Sequence, residues 1–346
     1  MVKTANEAAV VEVTGADDPG FADLFHVWGV VMAELEPDDP PVVAGELAAE
    51  LFTLPAHRRA RAWVARRDGR PVGLVRTGRH LDGINDAIAE IYVGVDPAER
   101  RRRVGSALLA TALDAMDAEG VTSLIGFTHD EAGAGFCRAA GMTNRQDERC
   151  SRLRITDVDL EQQRRWIDEA PARAAGYRLE TWVGVCPDEW AEPLAGALAA
   201  MVDAPIGDLD WHPQVQPGPE VQDRERWWDA QGYDTVTTLA LAPDGSPAGA
   251  SQLLVSRLRP EVAQQADTGV VGAHRGHRLG RWLKAETLRL ALSREPRIAV
   301  VETYNAEENP YMLAINVDMG FRPHHVYGSY QGPVAGALAA FGSADG

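Results

Sequence analysis

Two short arginine–glycine runs carry the clearest chemistry in this chain: Arg100-Arg-Arg-Arg-Val-Gly105 and Arg275-Gly-His-Arg-Leu-Gly280. Each follows a run of strand formers, Val93-Gly-Val-Asp-Pro97 in one case and Thr268-Gly-Val-Val271 in the other, and each opens a stretch with helical spacing. A helix start offers backbone N–H groups without internal acceptors, and the aligned peptide dipoles add partial positive charge there. Guanidinium groups beside such amides, and a glycine that lets the chain come close, suit a pyrophosphate. Candidate ligands in the first run are Arg100, Arg101, Arg102, Arg103, Gly105 and Ser106, with Val93 and Val95 of the strand before it. In the second they are Thr268, Val270, Arg275, Gly276, His277, Arg278, Gly280 and Arg281. The spacing is neither the Gly-x-Gly-x-x-Gly of a dinucleotide fold nor a Walker loop ending in Gly-Lys-Ser/Thr. A solvated charge run is the bland alternative, and it explains the flanking strand and helix less well. His274 and His277 have no carboxylate or cysteine partner at ligand spacing, so no metal is expected.

The elements that must hold these runs repeat as well. Asp68-Gly-Arg-Pro-Val-Gly73 recurs as Asp244-Gly-Ser-Pro-Ala-Gly249, and hairpin, strand, turn and helix follow in the same order. The offset is 176 residues for the hairpin (68 to 244) and 175 for the turn (100 to 275), which marks a duplicated domain. In the first copy the pattern predicts a strand near Val10–Val13 and helices from about Phe21 to Leu35 and Ala44 to Leu51. A hairpin turning at Asp68-Gly69, a strand Ile88–Val95 and a helix Gly105–Glu119 follow. Each copy reads as an α/β (α+β) domain, a mixed and mostly antiparallel sheet with helices on both faces. The domains are expected at 1–155 and 177–332, joined by a polar, arginine-rich linker at 156–176 and followed by a flexible tail at 333–346. A Pro-, Gly-, Asp- and Trp-rich segment, 203–220, has no counterpart in the first copy and reads as a substrate-side loop or a longer connection.

Composition narrows the partners. With 34 Lys and Arg against 51 Asp and Glu the net charge is −17, which argues against nucleic acid as a partner and leans toward a cationic substrate, or toward solubility alone. The three cysteines, Cys137, Cys150 and Cys186, show no pairing rhythm. There is no leader-like start and no apolar run long enough to span a bilayer, so a cytoplasmic protein without a membrane partner is expected.

Taken together, the two turns resemble the acyl-CoA motif of the GNAT superfamily of N-acetyltransferases, Gln/Arg-x-x-Gly-x-Gly/Ala. Arg100 and Arg275 match its first position and Gly105 and Gly280 its last, while Arg103 and Arg278 stand where the middle glycine is usual. Asn305-Ala-Glu-Glu-Asn309, before a helix ending in Gly320-Phe321, is similar to the closing strand and helix of that family; its first-copy counterpart, 130–142, is degraded. The resemblance covers nearly the whole chain as two tandem copies. With Glu90-Ile-Tyr-Val93 and Asp96-Pro-Ala98 before the arginines, it is similar to the group of actinobacterial two-domain acetyltransferases that includes mycothiol synthase.

What the resemblance implies is acetyl-CoA as donor, bound also by Asn305 and Asn309, and direct attack of a small-molecule primary amine on its thioester. Such an amine is protonated at neutral pH and needs a base. Glu90 and Asp267, on the strands leading into the turns, are the candidates, against the alternative of solvated or paired carboxylates; Glu302 is a weaker one. The tyrosine that often protonates the leaving thiolate, four residues before the closing glycine, is replaced by Cys137 and Asn316. Tyr304 is the substitute acid, with Tyr311 and a packing role as alternatives. The second copy, with its fuller closing helix, is expected to be the working site. The rival class is an acyl-CoA-binding protein without transfer.

Overall fold

The computed structural model describes residues 8–342. The first sequence copy supplies β1 (Ala9–Val13), α1 (Phe21–Leu35), α2 (Ala44–Phe52), β2 (Arg58–Arg67), β3 (Arg70–His80), β4 (Ile88–Val95), α3 (Val104–Ala118), β5 (Ser123–Thr128), α4 (Glu131–Ala139) and β6 (Thr143–Arg154). After α5 (Leu160–Arg173), the second supplies β7 (Arg178–Val183), α6 (Asp188–Leu198), α7 (Gly218–Ala230), β8 (Tyr233–Leu241), β9 (Pro247–Ser256), β10 (Val262–Val270), α8 (Leu279–Arg294), β11 (Val300–Ala306), α9 (Pro310–Met319) and β12 (Arg322–Pro333), followed by α10 (Val334–Phe341). No described helix is long and apolar enough to cross a membrane.

Local chemistry accounts for the main elements. Asp68 and Gly69 both take left-handed backbone angles (φ 51° and 76°), the geometry that a two-residue hairpin demands. Helix α3 buries Val104, Leu108, Leu109, Ala112, Leu113 and Met116, one face at helical spacing, and stops at Gly120 with φ 78°. Leu108 and Leu113 are fully buried, which contributes about 2 kcal/mol each.

The chain folds into two compact units that do not follow sequence order. One comprises the chain up to Asp147 with Asp208–His212 and everything from Tyr327; the other comprises Glu148–Gly207 and Pro213–Val326. The first sheet runs β1-β2-β3-β4-β5 and is closed by the Gly328–Pro333 part of β12, antiparallel to β5. The second runs β7-β8-β9-β10-β11 and is closed by β6, antiparallel to β11 from Glu148↔Ala306 to Arg154↔Val300. Each unit thus takes its closing strand from the other sequence copy. Of these pairings among the described residues, β4–β5 and β10–β11 are parallel and the rest antiparallel, so both sheets are mixed and mostly antiparallel.

These units revise the sequence boundaries. Residues 156–176 are not a bare linker: α5 packs on α8, with Ala170 and Ala174 buried beside Leu279, Trp282 and Leu283. Nor is the tail flexible over 334–341, because α10 packs on α3 with Val334 and Ala337 in the first unit's core. The remainder of that tail, 343–346, lies outside the described residues. Asp208–His212, within the segment lacking a counterpart, docks on the first unit: Asn85 and His212 exchange two hydrogen bonds, and Trp211 meets His80 edge-on at 5.1 Å. The loop between β3 and β4 that receives it lies at the end of β4 away from its arginine turn.

Candidate active site

In each unit the parallel pair comes apart before its strands end. Rungs run from Ile88↔Ser123 to Ile91↔Gly126 between β4 and β5, and only from Val262↔Val300 to Gln264↔Glu302 between β10 and β11. Beyond these rungs both strands continue, leaving a wedge with unpaired strand edges. On its other side, β4 pairs with β3 in unbroken register, whereas β10 bulges against β9 between Gln265 and Thr268. Such a bulge re-aims the side chains it contains.

The two arginine turns sit at the ends of these strands and share one backbone. Arg103 (φ 64°) and Arg278 (φ 59°) both adopt the left-handed conformation and directly precede their helices. They therefore hold the geometry the middle glycine of the motif would take, at a strain of about 1 kcal/mol each. The matching position two residues earlier is also left-handed, as Arg101 (φ 62°) in the first turn and Gly276 (φ 90°) in the second. Ala107 and Trp282 make the first backbone bonds of their helices, to Arg103 and Arg278, so the amides of Val104–Ser106 and Leu279–Arg281 precede any internal partner. A Cβ on Gly105 would make only ordinary contacts with Phe136 and Val95 at 3.6 Å, while one on Gly280 would crowd Ile315 at 3.1 Å.

The leading arginine of each run is turned back into the protein. Arg100 donates through Nε to the Val95 carbonyl (3.2 Å) and pairs in bidentate fashion with Glu34 of α1. Arg275 repeats the Nε contact on Val270 (3.3 Å) and lies 3.5 Å from Asp203. Arg101, Arg102, Arg103 and Arg278 have exposed side chains. Arg102 is 3.4 Å from Glu99, and Arg67 beneath the turn donates to Glu99 (2.5 Å) and to the Arg102 carbonyl (2.8 Å). In the second unit Tyr177 does the fastening: its hydroxyl meets His274 Nδ1 at 3.0 Å and its ring packs on His277 at 5.2 Å. Arg281 pairs with Asp318 of α9 over the Trp166 ring. Val93 and Val95 pack toward α3, Val270 packs toward α8, and Ser106 is half-buried in the first turn of α3. Thr268 is buried and shares a hydrogen bond with Ser251 (3.0 Å).

The two candidate bases have different surroundings. Glu90 lies within the ladder, opposite Gly78 and Ile125, and 3.9 Å from Arg58. Asp267 lies in the bulge and pairs with Arg224 of α7 at 3.0 Å, and the Arg224 guanidinium covers the Trp228 ring at 4.8 Å. Around that pair runs a row of buried polar side chains on the α6–α7 face. Trp182, Thr237 and Gln252 are neighbours across β7, β8 and β9. Arg224 donates to Gln252 (3.2 Å), and Gln252 donates to Thr237 (3.2 Å) and to Glu225 (2.7 Å). Glu225, 1% exposed, also accepts the Cys186 amide at 2.6 Å; burial pushes its carboxyl above the usual range, against the pull of those donors. Trp182 Nε1 and Arg224 Nε are buried donors without a protein partner.

On β11, Glu302 is tied to Arg152 of β6 (2.6 Å), and Tyr304, opposite Cys150, is 39% exposed. Asn309 caps α9 by accepting from Met312 (3.2 Å). Asn305 accepts from Asn316 of α9 (2.6 Å), and Asn316 in turn accepts from Lys284 of α8 (2.8 Å). In the first unit, Cys137 of α4 stands in the family's tyrosine position, its thiol pushed up to about 11 by burial.

Sequence reasoning did not single out Arg224, Glu225, Gln252 or Lys284. A signal existed: Val221 and Glu225 are one turn apart on α7, and Gly280, Lys284, Leu288 and Ala291 fall on one buried stripe of α8. Charged residues at core spacing mark polar chemistry inside the fold.

Comparison with known proteins agrees with this geometry. The sequence pattern of the Acetyltransferase (GNAT) family matches residues 29–142. The chain is 32% identical over 267 residues to the mycothiol acetyltransferase of Clavibacter michiganensis subsp. michiganensis, covering 74% of each chain. It superposes on a tandem GNAT protein from the clavulanic acid biosynthesis pathway with TM-score 0.79 and 27% identity, over 95% of this chain and 99% of that one. A GCN5-related N-acetyltransferase from Sphaerobacter thermophilus shares the fold at TM-score 0.67 and 15% identity, over 94% and 96%.

Proposed function

Since the chain belongs to the GNAT family and is an acyltransferase, we propose that it moves an acetyl group from acetyl-CoA to a primary amine of a small molecule, with the second unit as the working site. One observation carries the choice of unit: the face across the sheet from α8 is lined in the second unit by the connected polar side chains of Asp267, Arg224, Gln252 and Glu225, and the matching face of the first by packed aromatic rings around an Arg76–Glu50 pair. A polar acceptor needs hydrogen-bond partners there, and Trp182 Nε1 and Arg224 Nε are available donors.

The turn fits the donor's pyrophosphate on its own terms. The amides of Leu279–Arg281, the left-handed Gly276 and Arg278, and the exposed Arg278 guanidinium form an anion cradle at the start of a 16-residue helix. The pantetheine arm would enter the wedge past Gln264 and Glu302, where the ladder to β11 ends and a β10 amide would meet the thioester oxygen. Asp267 holds the incoming ammonium beside Arg224 and takes its proton. The freed nitrogen then bonds to the acetyl carbon as the carbon–sulfur bond breaks; the nitrogen gives its remaining surplus proton to water, and the sulfur takes a proton from an acid and leaves as the thiol of CoA. Tyr304, partly exposed on β11, is the candidate acid that closes this cycle. The two relatives above are named for mycothiol and for clavulanic acid biosynthesis. The polar row of this chain favours a cationic amine that also carries oxygen acceptors.

The test is to incubate the protein with acetyl-CoA and a panel of primary amines while following thiol release. Release with particular amines, abolished by Gly280→Asp, is the expected outcome. Tight CoA binding with no release from any amine would support a binding protein instead.

A further inference from the structure

Among the described residues, Lys284 is the largest fully buried side chain, at 1% exposure, and it has no carboxylate partner. Its Nζ donates to Asn316 Oδ1 at 2.8 Å and lies 5.2 Å from the Phe321 ring centroid. Burying an amine this way is costly, so the fold must gain something by keeping it. The charged side chains nearby are engaged elsewhere. Arg281, one turn earlier on α8, pairs with Asp318 of α9 over Trp166 of α5, and Glu286 pairs with Arg289. On α5, Arg165 faces Glu161 and Arg173 faces Glu169.

The lysine sets the direction of the hydrogen bonds beyond it. An ammonium offers donors only, so Asn316 must turn its oxygen toward it and its amide nitrogen away. That nitrogen donates to Asn305 Oδ1 at 2.6 Å, which leaves Asn305 Nδ2 as the terminal donor. Asn305 sits on β11 three residues past the last rung to β10, on the wall of the wedge. A chain of aligned donors polarises each member, and the effect is strongest away from water. Neither an aspartate nor a glutamate interrupts these bonds to reverse them.

We propose that Lys284 is a positioning residue which, through Asn316, orients the Asn305 amide to donate to the sulfur end of the coenzyme in the second unit, stabilising the thiolate that leaves. The proposal rests on reading that wedge as the coenzyme site. Burial alone lowers the lysine to about 7, so at neutral pH it is poised to hold its proton more tightly as negative charge develops at the far end. The first unit has Cys137 where the second has Asn316, and so lacks the middle link.

The experiment uses free CoA and needs no acceptor. Wild type and Lys284→Met, which keeps the length of the side chain, are saturated with CoA as judged by calorimetry, and the thiolate absorbance of the bound coenzyme is followed against pH. The first unit's contribution is common to both proteins and cancels in the difference. Expected is an upward displacement of the thiol titration by about one pH unit in the variant, with CoA still bound. Should Lys284→Met fail to fold, Asn316→Leu breaks the same chain and is expected to shift the titration in the same direction. Equal titration in wild type and a folded, CoA-binding variant overturns the proposal. Wild-type protein that binds no CoA overturns the underlying reading of the wedge instead.

Discussion

Tyr92 and Asp267 occupy matching positions, 175 residues apart, on the strands that lead into the two turns; both lie by an arginine that covers an aromatic ring and pairs with a carboxylate, but the rest of their surroundings differs. Tyr92 packs edge-on against Trp28 at 5.2 Å under the guanidinium of Arg76, and burial pushes its hydroxyl up to about 12. With Phe21, Phe25 and Phe52 nearby, this face of the first unit is filled mainly by apolar packing, and Arg76 pairs with Glu50 of α2 there. Asp267 instead pairs with Arg224 at the edge of a hydrogen-bonded polar row. The arginine turns show the opposite pattern, since both keep a left-handed arginine before the helix and an Nε contact from the leading arginine to the strand end. A cradle made of backbone tolerates side-chain change only where φ is preserved, whereas the opposite face can be rewritten residue by residue. On the proposed reading, the second unit is the one that turns over.

Three sets of measurements test that contrast and the second unit's buried lysine. The largest effect is expected from Gly280→Asp, which sets a carboxylate against the pyrophosphate and crowds Ile315; thiol release should fall about a thousandfold, while Gly105→Asp should leave it largely intact. Equal losses in both variants would mean that both units turn over. Next, Asp267→Asn should lower kcat/KM about a hundredfold, the range for loss of a general base, whereas Glu90→Gln should change it by no more than about twofold. A large effect at Glu90 would move the chemistry to the first unit. The smallest is a matter of stability. Lys284 falls from 10.5 to about 7 on folding, so between those values the unfolded chain carries a proton that the folded one sheds. Stability should therefore rise with pH across that window, by about 1 kcal/mol per pH unit, with the burial penalty fully present below 7. Lys284→Met should remove that slope, as urea midpoints across the pH range would reveal.

Much of this was readable in the sequence. The repeated hairpin, strand, turn and helix emerged because Gly, Asp and Arg sit where the backbone needs them, and α1, α2 and α3 follow the apolar spacing within a residue or two. Less visible were the elements whose burial is shallow. Strand β6, TNRQDERCSRLR, buries only Cys150, Ser151 and Leu153, and α5 buries Gln163 and Ala170 in an otherwise charged helix. Such segments resemble connectors until a partner is known. The buried polar row was illegible for a related reason: Glu225 and Gln252 gain their meaning from neighbours on other elements, and spacing along one element cannot supply those.

The reciprocal loan of closing strands has a consequence for how the molecule is made. Ser123 meets Pro333 across the first sheet, so that sheet stays open at one side until nearly the whole polypeptide has left the ribosome. Early assembly must wait on late synthesis, and a gene cut between the two repeats would yield halves each holding the other's missing piece.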